Sequence, residues 1–290
     1  MIINTEIKSM MLNLNGINVN CYTAGESGSP IILLHGAGVD SADISWREII
    51  KPLSEHYRVF APDLPGYGKS DKPDDVEYSL TFYVEILERL IESLNFNKVS
   101  LIGLSLGGGI SIAYTLKHPL QVEKLVLVGA YGIFKRLPYH LLSYWYTQSS
   151  FNELSYRLTA KSRRFVKWTL LNGLFGNPDN LSDELVDEIH QALKAPNAGK
   201  AFASFQRSDI TRNGLRSNLA ERLSEIKVPT LIVHGTKDTS VPVVHAQKAH
   251  QVIKGSQLYL MEGCKHWAQK EKPEEFIRIV SAFLASKNEL

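Results

Sequence analysis

The stretch Val99-Ser100-Leu101-Ile102-Gly103-Leu104-Ser105-Leu106-Gly107 runs from an apolar segment into a serine with glycine two positions away on each side. Residues 99–102 are apolar except for Ser100 and do not alternate, which suits a strand covered on both faces. Residues 106–117 read as the helix that follows, and His118-Pro119 ends it. A serine on so sharp a strand-to-helix turn is held in a strained backbone with its hydroxyl above the sheet edge. Side chains at 103 and 107 would collide there, so both positions call for glycine. Ser105 is expected to be a nucleophile.

Outward from this turn, residues 31–34, 125–128 and 231–233 are apolar runs of the same kind, each leading into glycine or a glycine-containing turn. A further run, 57–61, stops at Pro62. Helical periodicity lies between them. Leu80, Tyr83, Leu87, Leu90, Ile91 and Leu94 form a stripe after Ser79 as N-cap. Pro273 opens another helix, with Phe276, Ile279, Val280, Phe283 and Leu284 as its buried side. Residues 11–22 read as a hairpin turning near Asn15-Gly16. Alternation of this kind predicts an α/β fold with a mostly parallel, doubly wound sheet. It breaks between 132 and 224, where helical patterns and aromatics replace strands. Residues 1–131 and 225–290 are expected to form the core, and 132–224 a helical cap over the sheet.

A serine hydroxyl needs a base, and the base an orienting group. Candidates come from the same carboxyl edge of the sheet. Asp238 stands just past the 231–233 strand, in His234-Gly235-Thr236-Lys237-Asp238. Residues 257–261 read as the next strand, leading to His266. The order Ser105, Asp238, His266 predicts a triad. The oxyanion of a tetrahedral intermediate needs backbone donors. Leu106 N–H, after the nucleophile, is one; Ala37 N–H, in the loop His35-Gly36-Ala37-Gly38, is the other. Trp267 beside the histidine, with Gly36 and Leu104, completes the expected substrate contacts.

The chain has 290 residues, 44% hydrophobic and 21% charged, as in an ordinary globular protein. A net charge of +2 argues against nucleic acid as partner. Two cysteines make no disulfide framework and, far apart, no thiolate metal site. No HExxH pattern occurs, and neither metal nor cofactor is expected. Gly66-Tyr67-Gly68-Lys69-Ser70 ends like a phosphate loop but lacks its first glycine, and reads as structural. The N-terminus carries no leader pattern, and no apolar stretch approaches the roughly 18 residues of a membrane span. A cytoplasmic protein without integral membrane association is expected. Arg157, Lys161 and Arg164 recur at helical spacing, a pattern fit for a solvated face, an anionic substrate or an acidic membrane surface. Among the cap aromatics, Trp145, Phe151 and Trp168 are candidates to face the cleft.

The pieces HGAG (35–38), APDLPGYGKSD (61–71), GLSLGGG (103–109), HGTKD (234–238) and HW (266–267) together resemble the α/β-hydrolase fold family over essentially the whole chain. Ser105 sets it apart from the dehalogenases and epoxide hydrolases of that family, which use aspartate. Gly263-Cys264-Lys265-His266-Trp267-Ala268-Gln269 is similar to the bacterial meta-cleavage-product hydrolases, which cut carbon–carbon bonds in aromatic degradation. Those enzymes usually place asparagine before the nucleophile and a substrate-binding arginine in the cap. Here Leu104 takes the first position, and Ile189 or His190 the second. These departures turn the expectation to a serine hydrolase that cleaves a carboxylic ester through an acyl-enzyme on Ser105. The alternatives are a carbon–carbon hydrolase of the meta-cleavage-product type and a ligand receptor on the same fold. The expected partner is a small molecule with an apolar acyl or aromatic part; a homodimer is compatible with the chain.

Overall fold

The computed structural model describes residues 6–286; the N-terminal stretch 1–5, where a leader pattern was sought, lies outside them, as do residues 287–290. The chain opens with β1 (Lys8–Leu14) and β2 (Ile17–Ala24), paired as an antiparallel hairpin. Its turn residues Asn15 and Gly16 both have positive φ, as a two-residue turn of this hand requires. Then follow β3 (Pro30–Leu34), α1 (Ala42–Leu53), β4 (Arg58–Pro62), α2 (Leu80–Ser93), β5 (Val99–Leu104), α3 (Leu106–Lys117) and β6 (Val122–Val128). Five helices come next: α4 (His140–Gln148), α5 (Phe151–Thr159), α6 (Arg163–Gly173), α7 (Asp183–Leu193) and α8 (Lys200–Asp209). The α/β pattern resumes with β7 (Thr230–Gly235), α9 (Val243–Val252), β8 (Gln257–Met261), the short α10 (Ala268–Glu271) and α11 (Pro273–Ala285).

The eight strands lie in the order β1-β2-β4-β3-β5-β6-β7-β8. From β4 to β8 every pairing is parallel; β1 and β2 are the antiparallel edge. The continuity of the apolar runs has a direct cause. Ile32, Leu34, Leu101 and Leu127 face one cluster with Tyr83, Leu87 and Ile110. Their neighbours Ile31, Leu33, Ile102 and Val128 face another with Trp46, Ile49 and Phe276. Both faces are covered, so neither phase of the strand period can be polar. Full burial of each such side chain stabilises the fold by about 1.5–3 kcal/mol.

Local signals set the helix starts. Ser79 accepts from Phe82 N–H and Ser182 from Leu185 N–H, caps worth about 1 kcal/mol each. Ser41 does the same for α1, a helix absent from the sequence reading. Its last turn holds Pro52, which argues against a helix on sequence grounds; burial of Trp46, Ile49, Ile50 and Leu53 overrides that penalty.

Candidate active site

Ser105 ends the turn between β5 and α3 with φ 49° and ψ −112°, a left-sided conformation costly for any residue but glycine. The neighbouring glycines are required by contact. A Cβ at 103 would lie 2.3 Å from Gly107 O, and one at 107 would lie 2.2 Å from Leu34 O. Backbone bonds fix the turn on two more sides. Ser105 N–H donates to Val128 O at 2.9 Å, and Tyr131 N–H donates to Ser105 O at 2.8 Å.

The loops after β7 and β8 bring a second cluster to the same edge. His266 Nδ1 donates to Asp238 Oδ2 at 2.7 Å, and both residues are buried. Asp238 Oδ1 accepts from Ser240 N–H at 2.8 Å and Val241 N–H at 2.9 Å. Burial works against the Asp238 charge, but the facing His266 ring and these hydrogen bonds outweigh it and hold the carboxyl below its ordinary range. With Nδ1 carrying the proton shared with Asp238, Nε2 of His266 is left to act as base. His234 sits behind the pair, wholly buried, its Nε2–H donated to Val241 O at 2.7 Å. Burial lowers its pKa and keeps it neutral.

The HGAG loop lies beside Ser105: a Cβ on Gly36 would be 3.5 Å from Ser105 Cβ. His35 bridges two loops. Its Nδ1–H donates to Gly36 O at 2.7 Å, while Nε2 accepts from Leu64 N–H at 2.9 Å. Gly36 N–H is already committed to Asp40 Oδ2 at 2.8 Å. The next amide, Ala37, borders the cavity, as does Leu106, which opens α3 and so has no intrahelical acceptor for its N–H. The 61–71 segment is built around buried Asp63, which accepts from Ala42 N–H, Asn20 Nδ2 and Lys69 N–H. It supports the site without entering it.

Ser105, His266, Ala37, Leu106, Gly36 and Trp267 all line one cavity of about 480 Å³, the size of a small-molecule site. Two expectations differ from the structure. Leu104 does not line the cavity; strand alternation turns it, fully buried, into the core beneath. Trp145, Phe151 and Trp168 are exposed, 54–65% of their surface open, on the outer side of the cap. The cap contributes Tyr146, Asn152, Tyr156, Phe202, Phe205 and Gln206 instead. Ile189 also lines the cavity, while His190 turns away to Ala160 O at 2.9 Å. Among the described residues, no lysine or arginine borders it.

Sequence reasoning missed Gly129 and Asp40. Gly129, at the end of β6, has φ +48°, and a Cβ there would lie 3.2 Å from His266 Nδ1 and 3.3 Å from Asp238 Oδ2. Its place after an apolar strand was the available signal. Asp40 is buried and holds the HGAG loop through Gly36 N–H, Ser41 N–H and Ser45 Oγ; nothing in the linear pattern marks it. Cys21 and Cys264 are free and buried. Among the described residues there is no cluster of three or more metal-ligating side chains and no helix long and apolar enough to cross a membrane.

A family model described as the alpha/beta hydrolase fold matches residues 29–273. The chain is 32% identical over 289 residues to a 2-hydroxy-6-oxo-2,4-heptadienoate hydrolase of Pseudomonas putida, covering 99% of both. It is 31% identical over 274 residues to a 2-hydroxymuconate semialdehyde hydrolase of a Pseudomonas species, covering 93% of this chain and 91% of that one. Among solved structures, a meta-cleavage product hydrolase from Pseudomonas fluorescens matches with a TM-score of 0.79 at 30% identity, covering 96% of this chain and 97% of that one.

Proposed function

The chain belongs to the α/β-hydrolase fold family, as a serine hydrolase, and from that premise we propose that it cleaves a carbon–carbon bond in a vinylogous diketone of the meta-cleavage-product type. The observation that carries this reading is likeness at 31–32% identity, across more than nine-tenths of each chain, to hydrolases of ring-cleavage products. It displaces ester hydrolysis as the first reading.

In the proposed mechanism Ser105 Oγ adds to the ketone carbonyl as His266 Nε2 takes its proton. Asp238 stabilises the imidazolium and holds the ring through Nδ1. The amides of Ala37 and Leu106 receive the oxyanion, each donor worth about 3–4 kcal/mol in the transition state. Collapse breaks the carbon–carbon bond, and its electron pair leaves as the conjugated enolate of the other half. His266 returns a proton to that enolate. Water, with His266 again as base, then releases the acyl group from Ser105.

A second reading, ester hydrolysis, is favoured by two observations: among the described residues no lysine or arginine lines the cavity, and a leucine precedes Ser105. A buried carboxylate on the substrate would lack a charged partner there. The deciding experiment offers the purified chain a 2-hydroxy-6-oxo-dienoate and an activated short ester. Carbon–carbon hydrolysis predicts loss of the dienoate chromophore with kcat/KM above that for the ester. Turnover of the ester alone overturns it in favour of the second reading.

A further inference from the structure

Helices α4 and α5 carry their polarity the wrong way round for helices facing water, and α6 adds two exposed aromatics beside its buried Val166 and Leu170. In α5 the cavity side holds Asn152, Ser155, Tyr156 and Thr159, while Phe151, Leu154 and Leu158 are exposed. In α4, Tyr146 turns to the cavity, and Leu141, Leu142 and Trp145 face outward. In α6, Thr169 and Leu170 line the cavity; Phe165 and Trp168 are exposed and stacked on each other at 5.5 Å. Of fifteen exposed large hydrophobics among the described residues, nine lie between 139 and 168. An amphipathic surface helix does the reverse, and a concentration of this kind marks an interaction surface.

The same stretch is strongly basic. Residues 135–168 hold seven lysines and arginines against the single acid Glu153, a net +6 in a chain whose total is +2. The remainder of the molecule is therefore net −4. Arg163 and Lys167 are paired with Asp183 and Asp187, and Glu153 with Arg207. Lys135, Arg136, Arg157, Lys161 and Arg164 make no ion pair among the described residues.

We infer that the outer face of α4–α6 docks on an anionic lipid bilayer, with Trp145, Phe151, Phe165 and Trp168 entering the headgroup boundary. Exposed tryptophan, phenylalanine and leucine beside unpaired cations is the chemistry of an interfacial helix surface. The unpaired cations answer lipid phosphate. A second copy of this chain is the weaker occupant, because a two-fold contact would set one group of unpaired cations against another. The inference is independent of which bond the site cleaves. It gives the cap two tasks: the inner faces of its helices meet substrate, and the outer faces meet the lipid surface.

The test is sedimentation of the full chain with phosphatidylcholine vesicles, with and without phosphatidylglycerol, at low and high salt. Binding that requires phosphatidylglycerol and weakens at high salt is expected. Trp145→Ser combined with Trp168→Ser should reduce it by about tenfold or more. Replacing Arg157, Lys161 and Arg164 by glutamine should reduce it by about 10²-fold. Both variants should keep the wild-type melting temperature and the wild-type turnover of a water-soluble substrate. Three outcomes overturn the inference: no phosphatidylglycerol-dependent binding by the wild type, undiminished binding by both variants, or a wild-type dimer that dissociates on Leu142→Asp and does not bind vesicles.

Discussion

Around Ser105 the apolar side chains point inward: Leu104 and Leu106 are almost wholly buried, and Ser105 and His266 line the cavity. In the cap over it, Trp145, Phe151 and Trp168 point outward, and Asn152, Ser155 and Gln206 point in. The sheet edge is governed by strand geometry, with glycine where backbones touch and side chains alternating between two buried faces. The cap helices are governed by what lies on each side of them. One side is a partly polar cavity; the other is the surface proposed to meet lipid. Chemistry and specificity therefore rest on regions with different tolerances to change, and substitutions should separate them.

The largest effect belongs to the sheet edge. Ser105→Ala should lower kcat by at least about 10³ and abolish labelling by a serine-directed phosphonate. Full labelling of the alanine variant would remove the nucleophile assignment. Next is Gly129→Ala. The new Cβ presses on His266 and Asp238 from a backbone with φ +48°, so kcat should fall roughly 10- to 100-fold through misplacement of the base. A melting temperature near wild type would show that the loss is local; unchanged kcat would mean that the pair does not depend on its packing.

The cap should respond in selectivity. Phe202→Ala removes apolar contact from the cavity. Each methylene of lost contact is worth about 0.8 kcal/mol, so preference among acyl groups should shift severalfold per carbon. The smallest activated acyl substrate should be nearly unaffected. Trp145→Ala, outside the cavity, should leave the profile as it is. Equal shifts from both variants would erase the distinction between inner and outer faces.

The smallest expected effect is on stability. Asp238 is held below the ordinary carboxylate range, so its ionisation stabilises the fold above the unfolded-state pKa of about 3.9. That contribution fades as pH falls through the lower native value. Urea midpoints of wild type and Asp238→Asn should therefore converge as pH drops from about 6 to below about 3. A difference that widens toward acid would mean that the carboxyl is raised in the native state, and the site's charge balance would need redrawing.

Much was legible in sequence because it depends on neighbours along the chain. Residues 99–107 carry a strand, a glycine-cleared turn and a helix within one short window, and backbone sterics leave few other ways to arrange them. The two loops that bring in Asp238 and His266 follow apolar runs just as plainly. What the tertiary structure decided is every question of facing. Leu104 lies one residue from Ser105 yet is turned away by strand alternation. Asp40 and Gly129 matter only because folding sets them against the HGAG loop and the His266–Asp238 pair. In α4 and α5, aromatic or apolar residues lie outward and polar ones inward, so periodicity there has no buried apolar stripe to report. Which stripe meets the cavity is settled by packing over the sheet, between residues far apart in the chain.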